Sequence, residues 1–152
     1  MPQFTLFADY FQFYLQDEAA DGNLSEAWSE EAFSRMLAVG PGVVGIRTVR
    51  DTNVPVNIEV LDREGQAELD RWEQIVECSL VIKSGRMVVA GCTDYFPEAR
   101  RINLSPGTYR VRACYSGLNT ISEDGTSGQD SYHVFLWPAS YLPPATLKQR
   151  AA

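Results

Sequence analysis

The chain has 152 residues, 45% hydrophobic and 22% charged, which suits one globular domain large enough to bury its own core. A formal net charge of −7 and a pI near 4.7 exclude the basic footprint that a nucleic-acid binder needs to attract phosphates. They suit a basic protein partner, although solubility alone also explains such a charge. No apolar run approaches the roughly 18 residues that suggest a membrane span, and no basic-then-apolar leader opens the sequence. Cys78, Cys92 and Cys114 cannot all pair within one chain, and each lies in or near an apolar run. The expectation is a reduced, cytoplasmic protein.

Residues 4–15 are aromatic-rich, with Phe11, Phe13 and Leu15 alternating against Gln12, Tyr14 and Gln16. They read as one long strand or two short ones. Residues 17–31 then carry six acids and no base: Asp17, Glu18, Asp21, Glu26, Glu30 and Glu31. Their first part, through Gly22 and Asn23, reads as a loop. Ser29 caps a short helix with Glu30 and Glu31 in its first turn, and Phe33, Met36 and Leu37 form the stripe expected to pack on the sheet. Gly40 and Pro41 are expected to end that helix.

Val44, Ile46 and Thr48 open the next strand, and Val54, Val56, Ile58 and Val60 alternate through another. The acidic stretch 62–72 reads as a loop or a single helical turn. Val76, Cys78, Leu80 and Ile82 make a strand expected to turn as a hairpin at Ser84-Gly85 into residues 87–90. A short strand at 101–104 precedes the Pro106-Gly107 turn. After it, Tyr109, Val111, Ala113 and Tyr115 fall on a buried face, with Arg110, Arg112 and Cys114 on the wet one. A polar loop, 122–131, leads to a last strand at 132–137. About seven to nine short strands with turns between them predict a mainly β fold, an antiparallel β-sandwich or open barrel, with one short N-terminal helix. The domain is expected to span 1–145, with 146–152 a flexible tail.

Signals for chemistry are weak. Gly40-Pro-Gly-Val-Val-Gly45 spells G-x-G-x-x-G, but a helix precedes it and a strand follows, the reverse of what a phosphate site needs. His133 and Cys114 would form a dyad oriented by Asp130 if their strands were neighbours, which makes a Cys–His hydrolase an alternative. A single histidine with scattered cysteines makes no standard zinc site. The loop bearing Glu123, Asp124 and Asp130 offers three carboxylates to calcium but lacks the EF-hand ladder, so a calcium- or small-molecule-binding sandwich is a second alternative. Glu77 is expected on the wet face of its strand. Arg100, Arg101, Arg110 and Arg112 are expected to pair with the protein's own carboxylates.

Phe11-Gln-Phe13, Ala27-Trp-Ser-Glu-Glu-Ala32, Gly42-Val-Val-Gly-Ile46 and Leu104-Ser-Pro-Gly-Thr-Tyr109 follow one another in an order and spacing that resemble the competence protein J family of nuclease inhibitors. The resemblance implies a small β-sandwich-like protein that binds and restrains a nuclease without doing chemistry itself. The family has no contact motif to transfer, and the longer acidic loops here also fit an immunity-type protein facing a toxin. The resulting expectation is a non-enzymatic protein-binding domain that uses no cofactor, metal or nucleic acid. Its partner is a basic nuclease or toxin, met through Asp17, Glu18, Asp21, Glu26, Glu123, Asp124 and Asp130. An exposed edge strand would also permit a homodimer.

Overall fold

The computed structural model describes residues 3–151. Its described residues form eleven strands in two sheets, with one short α-helix. In chain order these are β1 Gln3–Phe7, β2 Gln12–Asp17, α1 Glu30–Arg35, β3 Leu37–Gly40, β4 Val43–Arg47 and β5 Asn53–Val60. They continue as β6 Gln74–Ile82, β7 Arg86–Gly91, β8 Arg100–Asn103, β9 Gly107–Ser116, β10 Ser131–Pro138 and β11 Ala145–Lys148. Sheet A has the order β1-β5-β10-β9-β6-β11 and sheet B the order β3-β4-β2-β7-β8. The two sheets stack as a sandwich, not a closed barrel. All pairings are antiparallel except β5 with β10, which run parallel.

The alternating strands supply the interior. Val54, Val56, Val76, Cys78, Val111, Ala113, Val134 and Leu136 of sheet A meet Phe13, Leu15, Val44, Ile46, Met87 and Val89 of sheet B in one buried cluster. At about 25 cal/mol per Å² of apolar surface, this shared core is the main favourable term for the fold.

The chain crosses between sheets four times, at residues 8–11, 48–52, 83–85 and 104–106. These corners pair with one another. Ala8 N–H donates to Thr52 O at 2.9 Å and Thr48 N–H to Phe11 O at 2.9 Å, while Leu104 N–H donates to Gly85 O at 2.9 Å. The Ser84-Gly85 signal therefore marks a corner, not a hairpin: β6 lies in sheet A and β7 in sheet B. The Asp17 carboxylate, at the end of β2, takes hydrogen bonds from Lys83 N, Ser84 N and Ser84 Oγ. Gly85 supplies the positive φ of 82° that the corner needs.

Three further expectations are corrected. The helix is shorter than its stripe: Met36 takes a left-handed C-cap conformation (φ 68°), Leu37 begins β3, and Phe33 faces outward at 54% exposure. Gly40 and Pro41 close the β3–β4 hairpin instead of the helix. Ala145–Lys148 form strand β11, paired with β6.

The supposed wet face of β9 is the third correction. Arg110 and Arg112 are 5% and 3% exposed and share the Glu77 carboxylate, at 3.0 and 2.7 Å. Arg110 also donates to Leu142 O and Pro143 O, and Arg112 to Gly65 O and Glu64. Two chain segments thus roof the outer face of sheet A. The expectation that these arginines pair with the protein's own acids holds, as it does for Arg101 with Glu18 at 2.9 Å.

A second buried ion pair ties the 48–52 corner to the last hairpin. Arg50 Nε donates to Asp130 Oδ1 at 2.7 Å, Tyr132 Oη donates to Asp130 Oδ2 at 2.6 Å, and Val49 N–H donates to Tyr132 Oη at 2.9 Å. Asp130→Ala strands the Arg50 charge and the Tyr132 hydroxyl. Urea unfolding should show a loss of about 3–5 kcal/mol, against about 1 kcal/mol for Tyr132→Phe.

Candidate protein-binding surface

The seven acids expected to meet a partner are divided by the fold. Asp17 and Asp130 are buried, at 2% and 1% exposure, with their oxygens taken up by the 83–85 corner and by Arg50 and Tyr132. Glu18 is half-buried between Arg101 and Arg86. These three hold the structure together and do not face outward as free carboxylates. Asp21, Glu26, Glu123 and Asp124 are exposed.

Asp17 and the 122–131 loop lie at different ends of the sandwich. Gln12 of β2 pairs with Arg47 beside the 48–52 corner, whereas Asp17 pairs with Met87 beside the 83–85 corner. At about 3.3 Å per residue the two ends of β2 are separated by roughly 17 Å. The 122–131 loop belongs to the first end, since Arg50 also donates to Thr126 O.

Residues 18–29 run back along the outer face of sheet B. Leu24 and Trp28 lie over Gly45, where an added Cβ would sit 2.8 Å from Leu24 and 2.9 Å from Trp28. The glycine that matched a phosphate motif is therefore a packing site. Trp28 Nε1 donates to Gln12 Oε1 at 3.1 Å, and Gln16 Nε2 donates to Ala20 O at 2.7 Å. Between this segment and the sheet lies an open cavity of about 650 Å³, lined in part by Gln12, Tyr14, Asp21, Trp28 and Phe96.

Next to it is a groove of about 420 Å³, more apolar than polar, lined by Tyr10, Phe11, Gln12, Trp28, Phe33 and Arg47. Tyr10, Phe11 and Phe33 are 68%, 47% and 54% exposed. Tyr10 and Phe11 both have left-handed backbones, with φ of 61° and 59°. That conformation costs a side-chain-bearing residue roughly 1–2 kcal/mol. It is imposed by the crossing: Tyr10 N–H donates to Asp51 Oδ1 at 2.8 Å, Phe11 N–H to Ala8 O at 3.1 Å, and Thr48 N–H to Phe11 O. Arg47 stacks on the Phe33 ring at 3.7 Å. Asp9, Asp51, Glu30 and Glu31 belong to the elements that form the groove. The aromatic crowding at the start of the sequence was the signal that pointed here, but only the folded turn shows which rings remain outside.

Cys114 and His133 are direct cross-strand neighbours on the outer face of sheet A. The surroundings oppose nucleophilic chemistry. Burial pushes the Cys114 thiol up to about 12, and burial together with the Arg71 charge pulls His133 below its ordinary value. The Trp72 ring lies 4.6 Å from the imidazole, and Asp130, the expected orienting acid, is committed to Arg50 and Tyr132. That commitment also removes one of the three carboxylates from a calcium site in the 122–131 loop. Hydrogen bonds from Ser122 and Thr126 lower Asp124 to about 2 and close the loop on itself. Among the described residues no helix is long and apolar enough to cross a membrane.

No family model and no curated protein matches the chain. Two solved structures share its architecture. One is ComJ from Bacillus subtilis, inhibitor of the DNA degrading activity of NucA. It is 15% identical, with 91% of this chain and 96% of that chain covered at a TM-score of 0.68. The chain has the fold of ComJ. The other is the crocagin biosynthetic gene J protein, 19% identical over the same shares at a TM-score of 0.61. At such identities the likeness is one of fold.

Two measurements follow from this geometry. Burial alone would raise the Asp17 carboxyl, but the bonds from Ser84 and Lys83 outweigh it and hold it below its ordinary value. A carboxylate depressed in the folded state stabilises above its unfolded value near 4 and stops doing so as pH falls through the folded one. Asp17→Asn should cost about 1–3 kcal/mol at pH 7, with the gap to wild type closing in acid denaturation below about pH 4. Iodoacetamide at pH 8 should label exposed Cys92 first and leave buried Cys78 and Cys114 unmodified. Preferential labelling of Cys114 would restore the hydrolase alternative.

Proposed function

We propose that this chain is a protein-binding domain that restrains a basic partner, of the nuclease class, without catalysing a reaction of its own. The observation that carries the reading is the outward face of residues 18–31. It sets exposed Asp21, Glu26, Glu30 and Glu31 along sheet B and ends at an exposed aromatic groove. Acidic rims and aromatic centres are what a partner of opposite charge requires, the first for rapid encounter and the second for affinity. The fold supports the same reading, since ComJ is an inhibitor of a nuclease. Three free cysteines suit a reducing compartment, and we place the protein in the cytoplasm on that ground.

The contact acids in this reading are Asp21 and Glu26, with Glu123 and Asp124 at the far loop. Asp17, Glu18 and Asp130 are left to their internal partners. An immunity-type role against a basic toxin uses the same surface and differs only in the partner.

The test begins with NucA: DNA degradation is followed with increasing amounts of this protein, and association is measured from low to high salt. Inhibition with an association rate that falls as salt rises is expected. Asp21→Asn with Glu26→Asn should slow association several-fold at low salt and flatten the salt dependence, with dissociation little changed. Undiminished DNA degradation at saturating protein, with no complex at low salt, counts against NucA as the partner. Unchanged association in the double variant counts against these acids.

A further inference from the structure

We propose that the groove formed by Tyr10, Phe11, Trp28 and Phe33 is the centre of the interface, and that it receives an apolar side chain flanked by lysine or arginine on the partner. The inference rests on the protein-binding reading above and names the place and chemistry of the contact.

Three observations converge. The first is strain. Two consecutive bulky aromatics stand in left-handed backbone, a conformation in which glycine or asparagine is the usual occupant. Packing explains them only in part, because Tyr10 is 68% exposed and Phe11 leaves 47% of its surface outside. A residue that costs stability and leaves this much of itself outside is accounted for by something it touches outside the chain.

The second is unspent donor capacity. Arg47 stacks on Phe33 and makes one long hydrogen bond, from Nη1 to Phe33 O at 3.3 Å. Its Nε is buried without an acceptor, and among the described residues it has no carboxylate, unlike Arg50, Arg101, Arg110 and Arg112. A partner segment entering the groove brings backbone carbonyls to the Nη groups, whose one acceptor among the described residues is Phe33 O.

The third is charge. Asp9 and Asp51 hold the Tyr10 turn, and Glu30 and Glu31 precede Phe33 on the helix. These four carboxylates flank the elements that form the groove and favour an apolar anchor with basic flanks, while Arg47, the one charged residue lining it, is left to the backbone carbonyls of that anchor. An anchor with acidic flanks meets repulsion.

The test uses three proteins: wild type, Tyr10→Gly with Phe11→Gly, and Phe33→Ala. Glycine adopts the left-handed region freely, so the glycine pair removes the rings and relieves the strain together. Its Tm should equal or exceed that of wild type. A Tm lowered by several degrees would mean that the rings serve the fold, and would overturn the proposal. Phe33→Ala sits on an exposed helix position and keeps the binding test open if the glycine pair alters the turn.

Binding is read by NMR with two amidated pentapeptides, Lys-Arg-Phe-Arg-Lys and Glu-Glu-Phe-Glu-Glu. The basic peptide should shift the Trp28 indole N–H and the amides of residues 10–12, 33 and 47. Either variant should weaken it about tenfold or more, and the acidic peptide should leave the groove unperturbed. Shifts elsewhere, no shifts, or equal response to both peptides would overturn the proposal. NucA separates this inference from the broader reading. If wild type and both variants bind NucA equally, the groove is wrong and the nuclease reading stands. If wild type ignores NucA while the basic peptide fills the groove, the groove stands and that partner is wrong.

Discussion

The buried contact of Arg50 with Asp130 fixes more of this molecule than any other single interaction. It holds the 48–52 corner against the β9–β10 hairpin, and Tyr132 adds its hydroxyl to the same carboxylate and accepts from Val49. The corner in turn holds the first crossing, through Thr48 to Phe11, Ala8 to Thr52 and Tyr10 to Asp51. The orientation of two exposed rings thus depends on a carboxylate 120 residues along the chain from Tyr10. A buried ion pair is a poor source of net stability, because desolvation offsets most of its attraction. Here its effect is geometric: it fixes an arrangement of the corner in which both oxygens of the Asp130 carboxylate have partners.

A sandwich needs only its inner faces to be apolar, and the outer faces are ordinarily wet. This one covers both. On sheet A, Glu77 between Arg110 and Arg112 makes a polar layer that residues 64–65 and 142–143 complete from above. A small apolar cluster of Trp72, Ile75 and Cys114 lies beside it. On sheet B, Gly45 lets Leu24 and Trp28 lie close to the strands. With the broad faces covered, the proposed contact surface lies along residues 18–31 and at the end of the sandwich where the first two crossings meet. Loops at sandwich ends are free to vary because the sheets carry the stability.

Much of the architecture was legible because strand periodicity depends on one residue at a time. Val54 to Val60, Val76 to Ile82 and Tyr109 to Tyr115 alternate so regularly that their inner faces follow directly. Ser29 was legible as a cap for the same local reason: its hydroxyl accepts from Ala32 N–H within one turn. Sheet membership was not. Ser84-Gly85 has the composition of a hairpin, and only Asp17, 67 residues away from Ser84, makes it a corner. Strand β11 carries no alternation strong enough to announce itself, and its pairing depends on β6 having a free edge. The outer-face arginines looked wet because a period of two separates one face from the other without saying whether something covers the second.

The same division runs through the candidate site. By itself the sequence determined the acidic balance, the aromatic crowding near its start, the alternating strands and the resemblance that pointed to an inhibitor-like sandwich, since all of these are sums or patterns over neighbours in the chain. Which acids remain outside was decided only by the tertiary structure. Asp17 and Asp130 look no different in the sequence from Asp21 and Asp124, yet two are enclosed by distant donors and two face solvent. The left-handed turn at Tyr10 and Phe11 is of the same kind. No local preference favours it, and it exists because hydrogen bonds from residues some forty positions away leave the backbone no other path between the sheets.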